Sequence, residues 1–343
     1  MGTRPSYLDL KQLPWSSPRV CVIGDVMVDA YMWGHVHRMS PEAPVPVVEI
    51  ERRERRVGGA GNVVKNLSAL GAQVELISVV GDDDAGSHLS ELLSGMCQTH
   101  LTVDPERPTT VKTRIISSDK HVLRVDEEST VDVSAKVTEH ALSAFEVLLA
   151  SNQPPKVVVL EDYDKGLMTP DLIRGVLKRC EEASIPVAVD PKLRRFADYK
   201  NVTLFKPNLK ELNEGLPLEA PADPTDRDSM IHAVDTLMNT LGCACAFVTL
   251  GEHGAWIHAP SRGVEHVHLN ALKRNVVDVS GAGDTVIATA ALMLAAGEDP
   301  ESIAAVANLA GGWVCEKVGV VPMVRGELER ELTRLSGLKR TTE

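Results

Sequence analysis

A carboxylate stands where an anion would be expected to bind. In the stretch DVSGAGDT (278–285), two glycines and an aspartate lead into the apolar run from Val286 to Ala296. A helix N-terminus carries roughly half a positive charge and free N–H groups, and Gly281 and Gly283 allow successive amides to close on one point. Asp284 in that first turn repels an anion unless it takes part in a reaction. The fitting reaction is general-base chemistry. Asp284 takes the proton of an attacking hydroxyl while Gly281, Ala282 and Gly283 stabilise charge on a transferring phosphoryl group, the base contributing about 10²–10⁴-fold. Taken alone, the pattern equally suits a carboxylate that merely complements the helix dipole, an effect of about 0.3–1 kcal/mol.

Further residues tip the balance. Asn208 and Glu211 in KPNLKE lie three apart at a helix start and offer oxygens to Mg²⁺ directly or through water, with an asparagine-type capping box as the rival reading. Lys192 and Lys165 follow strand-like runs and supply cations. Asp25 and Asp29 in GDVMVD, with Gly58, Gly59 and Asn62 opening the next helix, suit hydrogen bonding to vicinal sugar hydroxyls. No G-x-G-x-x-G fingerprint follows the first strand and no Walker lysine motif occurs.

These residues need a frame that gathers them. The runs at 19–24, 72–83, 156–164, 185–192, 202–208 and 245–254 read as buried strands, most of them ending in Gly or Asp, with helical segments between them. Thr169-Pro170 and Asp299-Pro300 each read as a cap followed by proline at the first helical position. This alternation predicts an α/β fold, a three-layer α/β/α sandwich on a mostly parallel sheet. Ligands then bind at the carboxyl ends of the strands. Segments 31–57 and 107–126 break the rhythm and predict a small antiparallel β-sheet lid, its Arg52–Arg56 run a solvated edge or a dimer contact. The main domain is set at 19–335, between an N-terminal extension (1–18) and a C-terminal tail (336–343).

With a formal charge of -12 and a sequence pI near 5.4, the chain disfavours nucleic acid and membrane surfaces as partners, so any anionic substrate needs a local positive site. The six cysteines include no C-x-x-C pair and read as buried, reduced thiols. The N-terminus lacks an unbroken apolar core, and the run from Val286 to Ala296 is well short of the roughly 20 residues a membrane span needs. A cytoplasmic protein is expected.

Taken in order, VGGAGNVVKNLSALGA, KPNLKE, VTLGEHG and DVSGAGDT resemble the ribokinase (PfkB) family of sugar kinases over nearly the whole chain from about residue 19. GDVMVDAYMWG, SPEAPVPVVEI and LEDYDKG are similar to the D-glycero-β-D-manno-heptose-7-phosphate kinases within it. The resemblance implies ATP with Mg²⁺ and phosphorylation of the anomeric hydroxyl of the heptose 7-phosphate, a step towards the lipopolysaccharide core. It implies Asp284 as base, Gly281-Ala282-Gly283 as anion hole, and Asp25, Gly58, Gly59 and Asn62 as sugar contacts, with Asp29, Asp162 and Lys165 beside them. It further implies Mg²⁺ supported by Asn208 and Glu211, a nucleotide bordered by Thr249, Gly251 and Gly254 with Lys192 and Asn308 near, and a homodimer formed through the lid. For the 7-phosphate, Arg114 is the first candidate, because bidentate arginine suits such an anion, with Lys112, Arg124 and Lys65 as the other partners in reach. Many kinases of this group carry a fused nucleotidyltransferase domain, and the chain's end at Glu343 leads to the expectation of the kinase alone. The rival expectations are a kinase for another sugar or nucleoside and a catalytically silent sugar-binding regulator.

Overall fold

The computed structural model describes residues 13–118 and 120–340, with the side chains of 336–340 left aside. In chain order the strands are β1 (Arg19–Gly24), β2 (Val26–Met39), β3 (Pro46–Gly59), β4 (Gln73–Gly81), β5 (Gln98–Asp104), β6 (Val111–Ser117), β7 (Lys120–Glu127), β8 (Val157–Glu161), β9 (Val187–Asp190), β10 (Leu204–Phe205), β11 (Ala246–Thr249), β12 (Ala255–Ala259) and β13 (Val264–Leu269). The helices are α1 (Ala60–Ala69), α2 (Asp84–Leu93), α3 (Ala135–Leu149), α4 (Pro170–Glu182), α5 (Leu209–Gly215), α6 (Arg227–Leu241), α7 (Ala282–Ala295), α8 (Pro300–Val314) and α9 (Arg325–Arg340).

Nine strands form one sheet in the order β13-β12-β11-β10-β9-β8-β1-β4-β5. All pairs from β11 to β5 are parallel, while the β11–β12 and β12–β13 pairs are antiparallel, so β12 alone runs against the other strands of this sheet. The pleat splits the core in two. Val20 and Val22 of β1 point into a cluster with α1, α7 and α8, while Cys21 and Ile23 point into the opposite cluster with α3, α4 and α6. The three-layer architecture follows, because a sheet that is apolar on both faces must be covered on both. Thr169 and Asp299 cap α4 and α8 through their side chains, each with proline in the first turn.

The lid is a separate four-stranded sheet, β3-β2-β6-β7. It is not wholly antiparallel as the sequence suggests: β2 pairs with β6 in parallel. The cause is the main sheet. Strands β1 and β5 run the same way, so β2 and β6, which follow them, both leave from its carboxyl edge and travel outward together. The arginine run lies on β3, where Arg52 covers the Trp33 ring at 3.7 Å and Arg56 the Tyr31 ring at 4.9 Å, so part of that edge is stacked rather than simply solvated.

Residues 1–12 of the expected extension lie outside the described residues, whereas Leu13 and Trp15 are buried in the first core cluster. The Trp15 indole donates to the Leu70 carbonyl at 3.0 Å. Of the expected tail, 336–340 continue α9 and 341–343 lie outside the described residues. All six cysteines are free, four of them buried. No described helix is long and apolar enough to cross a membrane.

Candidate active site

Asp284 sits in the first turn of α7, whose N-cap, Gly281, has φ +78 and gives no side-chain cap. A Cβ at Gly281 would come within 2.8 Å of Asn62 Nδ2, so glycine meets both the backbone and the packing requirement. The Ala282 amide is spent on the Val279 carbonyl at 3.2 Å. With the 282 amide of the expected hole so engaged, the first-turn amides of Gly283 and Asp284 are the ones that can turn to an anion.

Both oxygens of Asp284 are pinned. Tyr163 Oη donates to Oδ1 at 2.7 Å, and Asn62 Nδ2 donates to Oδ2. Burial raises the Asp284 carboxyl above the usual carboxylate range; the Asn62 and Tyr163 hydrogen bonds oppose that rise, Asp190 adds to it and Lys206 opposes it. A carboxylate held in this way can accept a proton while remaining ionisable. Helix α1 delivers Asn62 and, one turn on, Asn66, whose Oδ1 accepts from Thr285 Oγ1 and the Met323 amide, each at 3.0 Å. The Asn62 side-chain oxygen, Oδ1, is buried without a hydrogen-bond partner beside Asp284. It offers an acceptor to a ligand hydroxyl.

Below Asp284, the ends of β8 and β9 bring up Glu161 and Asp190. One oxygen from each of the three carboxyl groups lies within 4.8 Å of the other two. Lys206, on the segment after β10, is 2% exposed and bonds Asp190 Oδ2 at 2.9 Å. Glu161 is 1% exposed and neither of its oxygens has a partner. Burial, then Asp190 and Asp284, push its carboxyl well above the usual range. Lys192 bonds Glu211 Oε1 at 2.8 Å and lies 5.1 Å from the centre of the Tyr163 ring.

Asn208 and Glu211 form a closed capping box. Asn208 Oδ1 accepts from the Glu211 amide at 2.8 Å, and Glu211 Oε2 accepts from the Asn208 amide at 2.9 Å. With Lys192 on the other Glu211 oxygen, this pair has its acceptors engaged and reaches a metal most readily through water.

The expected sugar contacts gather on the lid side of Asp284. Asp25 is 2% exposed and accepts three amides: Tyr163 at 3.0 Å, Lys165 at 3.1 Å and Leu167 at 3.2 Å. It braces the turn that carries Tyr163, leaving about one lone-pair direction for a ligand. Asp29 accepts from Arg114 Nη1 at 2.5 Å, and a Cβ at Gly58 would strike its carboxylate, so Gly58 permits the close approach. Gly59 is the N-cap of α1. Lys65 donates to the Val320 carbonyl at 3.2 Å; burial and then nearby Arg56 depress its ammonium pKa. Two expectations change. Asp162 faces away into the other core, accepting from Tyr199 Oη at 2.7 Å, because the pleat turns it opposite to Glu161. The Lys165 ammonium is tied to Glu128 at 3.0 Å.

On the other side of Asp284 opens a cleft of about 1350 Å³. Thr249, Gly251, Gly254 and Asn308 line it with Asn208 and Lys192, so the expected nucleotide contacts share one cavity with Gly281–Asp284. The sequence reading did not single out Tyr163, Glu161, Asp190 or Lys206. Tyr163 and Glu161 lie inside LEDYDKG, and Lys206 opens KPNLKE, so the motifs marked the segments but not which side chains turn inward.

A model of the pfkB family of carbohydrate kinases matches residues 17–325. The chain is 43% identical over 323 residues, 93% of its length, to the bifunctional protein HldE of Caulobacter vibrioides, and 41% identical over 322 residues, again 93%, to that of Desulfatibacillum aliphaticivorans. It spans 65% and 64% of those relatives' own lengths. Among solved structures it superposes on phosphofructokinase-2 from Escherichia coli in complex with fructose-6-phosphate, with TM-score 0.75, 16% identity and coverage of 93% of this chain and 99% of that one. Arabidopsis thaliana ribokinase complexed with ribose and ATP gives TM-score 0.65 at 19% identity, covering 92% and 99%. At these identities the two structures bear on the fold, which is ribokinase-like.

Proposed function

The chain belongs to the pfkB family of carbohydrate kinases, and on that premise we propose that it transfers the γ-phosphoryl group of ATP to the anomeric hydroxyl of D-glycero-β-D-manno-heptose 7-phosphate. The products are the 1,7-bisphosphate and ADP, on the way to a nucleotide-activated heptose for the lipopolysaccharide core. The observation that carries the chemistry is Asp284, clamped by Asn62 and Tyr163 at an uncapped helix start, between the cleft and the lid. The choice of heptose rests on GDVMVDAYMWG, SPEAPVPVVEI and LEDYDKG, and the HldE similarity supports it.

The sugar lies under the lid with its hydroxyls on Asn62, Gly58–Gly59 and the remaining lone pair of Asp25. Asp284 takes the proton of the anomeric hydroxyl, whose oxygen attacks the γ-phosphorus as the bond to ADP breaks. The amides of Gly283 and Asp284 meet the charge on the equatorial oxygens. Tyr163 holds the base in place. The triphosphate lies along the cleft past Thr249, Gly251 and Gly254, with Lys192 and Asn308 beside it. Mg²⁺, when bound, screens the phosphate charge, supported through water by Asn208 and Glu211.

The 7-phosphate falls to Arg114 and Lys65. A dianion there offsets the burial and, after it, the Arg56 repulsion that depress the Lys65 ammonium. The lid is assigned as a homodimer contact because its outer strand β7 is exposed along its length and presents Leu123 at 53% and Val125 at 42% exposure. The cytoplasm, which supplies ATP, is the assigned compartment.

The decisive assay couples ADP release to a panel containing both anomers of heptose 7-phosphate, other sugar phosphates and nucleosides. Turnover on the β-anomer at the highest kcat/KM is expected. Faster turnover on another acceptor would replace the substrate, and no transfer to any acceptor would leave a silent sugar binder.

A further inference from the structure

We propose that Glu331, on the C-terminal helix α9 and outside the cleft, is a positioning residue for the nucleotide: with Glu316 it fixes Arg274, the side chain that anchors the cleft's outer wall. The proposal rests on the reading of that cleft as the ATP site.

The wall is the segment between β13 and α7, residues 270–281, which contains neither helix nor strand. Leu272, Arg274, Val276 and Val279 line the cleft from it. Its apolar side chains do not hold it down, since Val276 is 61% exposed and Val279 68%. Polar ties must set its position. At one end the Asn270 carbonyl accepts from Asn308 Nδ2 at 3.4 Å; at the other, the Val277 and Asp278 amides donate to the Cys315 carbonyl at 2.8 and 3.1 Å. Between these ends the hold is Arg274. Its side chain is 5% exposed and ends between two carboxylates, with Nη1 on Glu316 Oε2 at 2.9 Å and Nη2 on Glu331 Oε2 at 2.6 Å.

Both carboxylates stand on firm supports. Glu316 lies just past the end of α8, its amide bonded back to the Trp313 carbonyl at 3.2 Å. Glu331 shares a face of α9 with Leu328 and Leu332, both buried in the first core cluster, so the core dictates where its carboxylate points. Gly312 of α8 leaves the guanidinium its path, because a Cβ there would lie 3.2 Å from Arg274 Nε. A buried cation that loses a partner is costly to keep in place, so removing the Glu331 charge drives Arg274, and the wall with it, towards solvent.

The base is insulated from this movement. Asp278 Oδ2 accepts from the Gly319 amide at 3.0 Å, and the Val279 carbonyl accepts from the Ala282 amide at 3.2 Å, so the entry to α7 has ties of its own. Nucleotide affinity should change without the chemical step.

Calorimetry of ADP with Mg²⁺ on the full chain, alongside steady-state assays on the best acceptor, would compare wild type with Glu331→Gln, Glu331→Asp and, as a control on α9, Glu327→Gln, whose partner is the exposed Arg330. Glu331→Gln should weaken ADP and raise the KM for ATP about fivefold, with kcat and the KM for the sugar within twofold. Glu331→Asp should recover part of the loss, and Glu327→Gln should leave all four values within twofold. A purely structural Glu331 would instead lower the melting temperature and leave ADP affinity alone. ADP affinity in Glu331→Gln within twofold of wild type, or a kcat that falls as far as the affinity, overturns the proposal and leaves the kinase reading standing. A wild type that binds no ADP overturns both. Should Glu331→Gln fail to fold, Arg274→Lys, which keeps the charge but loses the fork that spans two carboxylates, is expected to give the same loss of ADP affinity.

Discussion

Two clusters of titratable side chains with metal-like spacing occur among the described residues, and they are built in opposite ways. One is Glu161, Asp190 and Asp284; the other is Asp235, His258 and His266 near the sheet edge. In the second, every ring nitrogen has work. His258 and His266 stack at 3.8 Å with an interplanar angle of 8°. His258 Nδ1 accepts from the His266 amide at 3.2 Å, and His266 Nδ1 accepts from the Trp256 indole at 3.3 Å. Both protons must then sit on Nε2, where His266 faces Asp235 at 3.1 Å and His258 faces it at 3.7 Å. Nitrogens that carry protons do not bind a metal, so this cluster pins the β12–β13 edge. The acidic cluster, by contrast, keeps a carboxyl with no donor, Glu161, and another, Asp284, at a helix start without a side-chain cap. Between these two clusters, the one with its polar atoms satisfied is built as structure, and the one with an unsatisfied carboxyl has capacity left for a ligand.

The comparison breaks first at Asp284. Asp284→Asn should lower kcat by about 10³-fold while leaving sugar binding by calorimetry within a few-fold. Near-normal turnover would put this aspartate on the structural side of the contrast. Tyr163→Phe sharpens it: losing the hydroxyl should reduce kcat about tenfold with little change in the KM for ATP. In the wild type, activity fades as pH falls through the raised Asp284 pKa. Because the Tyr163 hydrogen bond lowers that pKa, its loss should move the acid limb of the kcat profile to higher pH. An unmoved limb would show that Tyr163 only packs.

A smaller effect separates Glu161 from its neighbour. Burial, followed by the Asp25 charge, pushes the Asp162 carboxyl up to about 7. A raised carboxyl binds its proton more tightly in the folded chain, so its contribution is present at low pH and is lost as pH climbs from about 4 through 7. Asp162→Asn should therefore gain about 1–2 kcal/mol in urea unfolding at pH 8 and nothing at pH 4, the gain being trimmed by a poorer partner for Tyr199. Equal effects at the two pH values would refute the assignment. His258→Gln should do least, costing about 1 kcal/mol with kcat unchanged. Burial and then His266 hold the His258 pKa down, so its contribution exists above the ordinary histidine pKa and fades as pH falls below it. The variant's deficit should shrink in acid, which melting curves at pH 5 and pH 8 would reveal.

Much of the fold was legible because its signals are local. Alternating apolar strands and helices predicted the sandwich, Thr169 and Asp299 announced their helices, and the run at 278–285 marked a glycine-led helix start. The lid segments were legible as β structure, but the parallel pairing of β2 with β6 was not, because direction depends on where each chain segment leaves the main sheet. At the site, Asp284 and Asn62 were named from their motifs, while Tyr163, Lys206, Asp190 and Glu161 were not.

The sequence by itself determined the elements, the family and the glycine-led helix start that carries Asp284, since glycine spacing, caps and apolar periods act over a few residues. The tertiary structure alone decided which carboxyl groups meet. Glu161, Asp190 and Asp284 come together because β8 and β9 are neighbours and α7 starts above their ends. The pleat alone decides that Glu161 turns into the site while Asp162, the next residue, turns towards Tyr199.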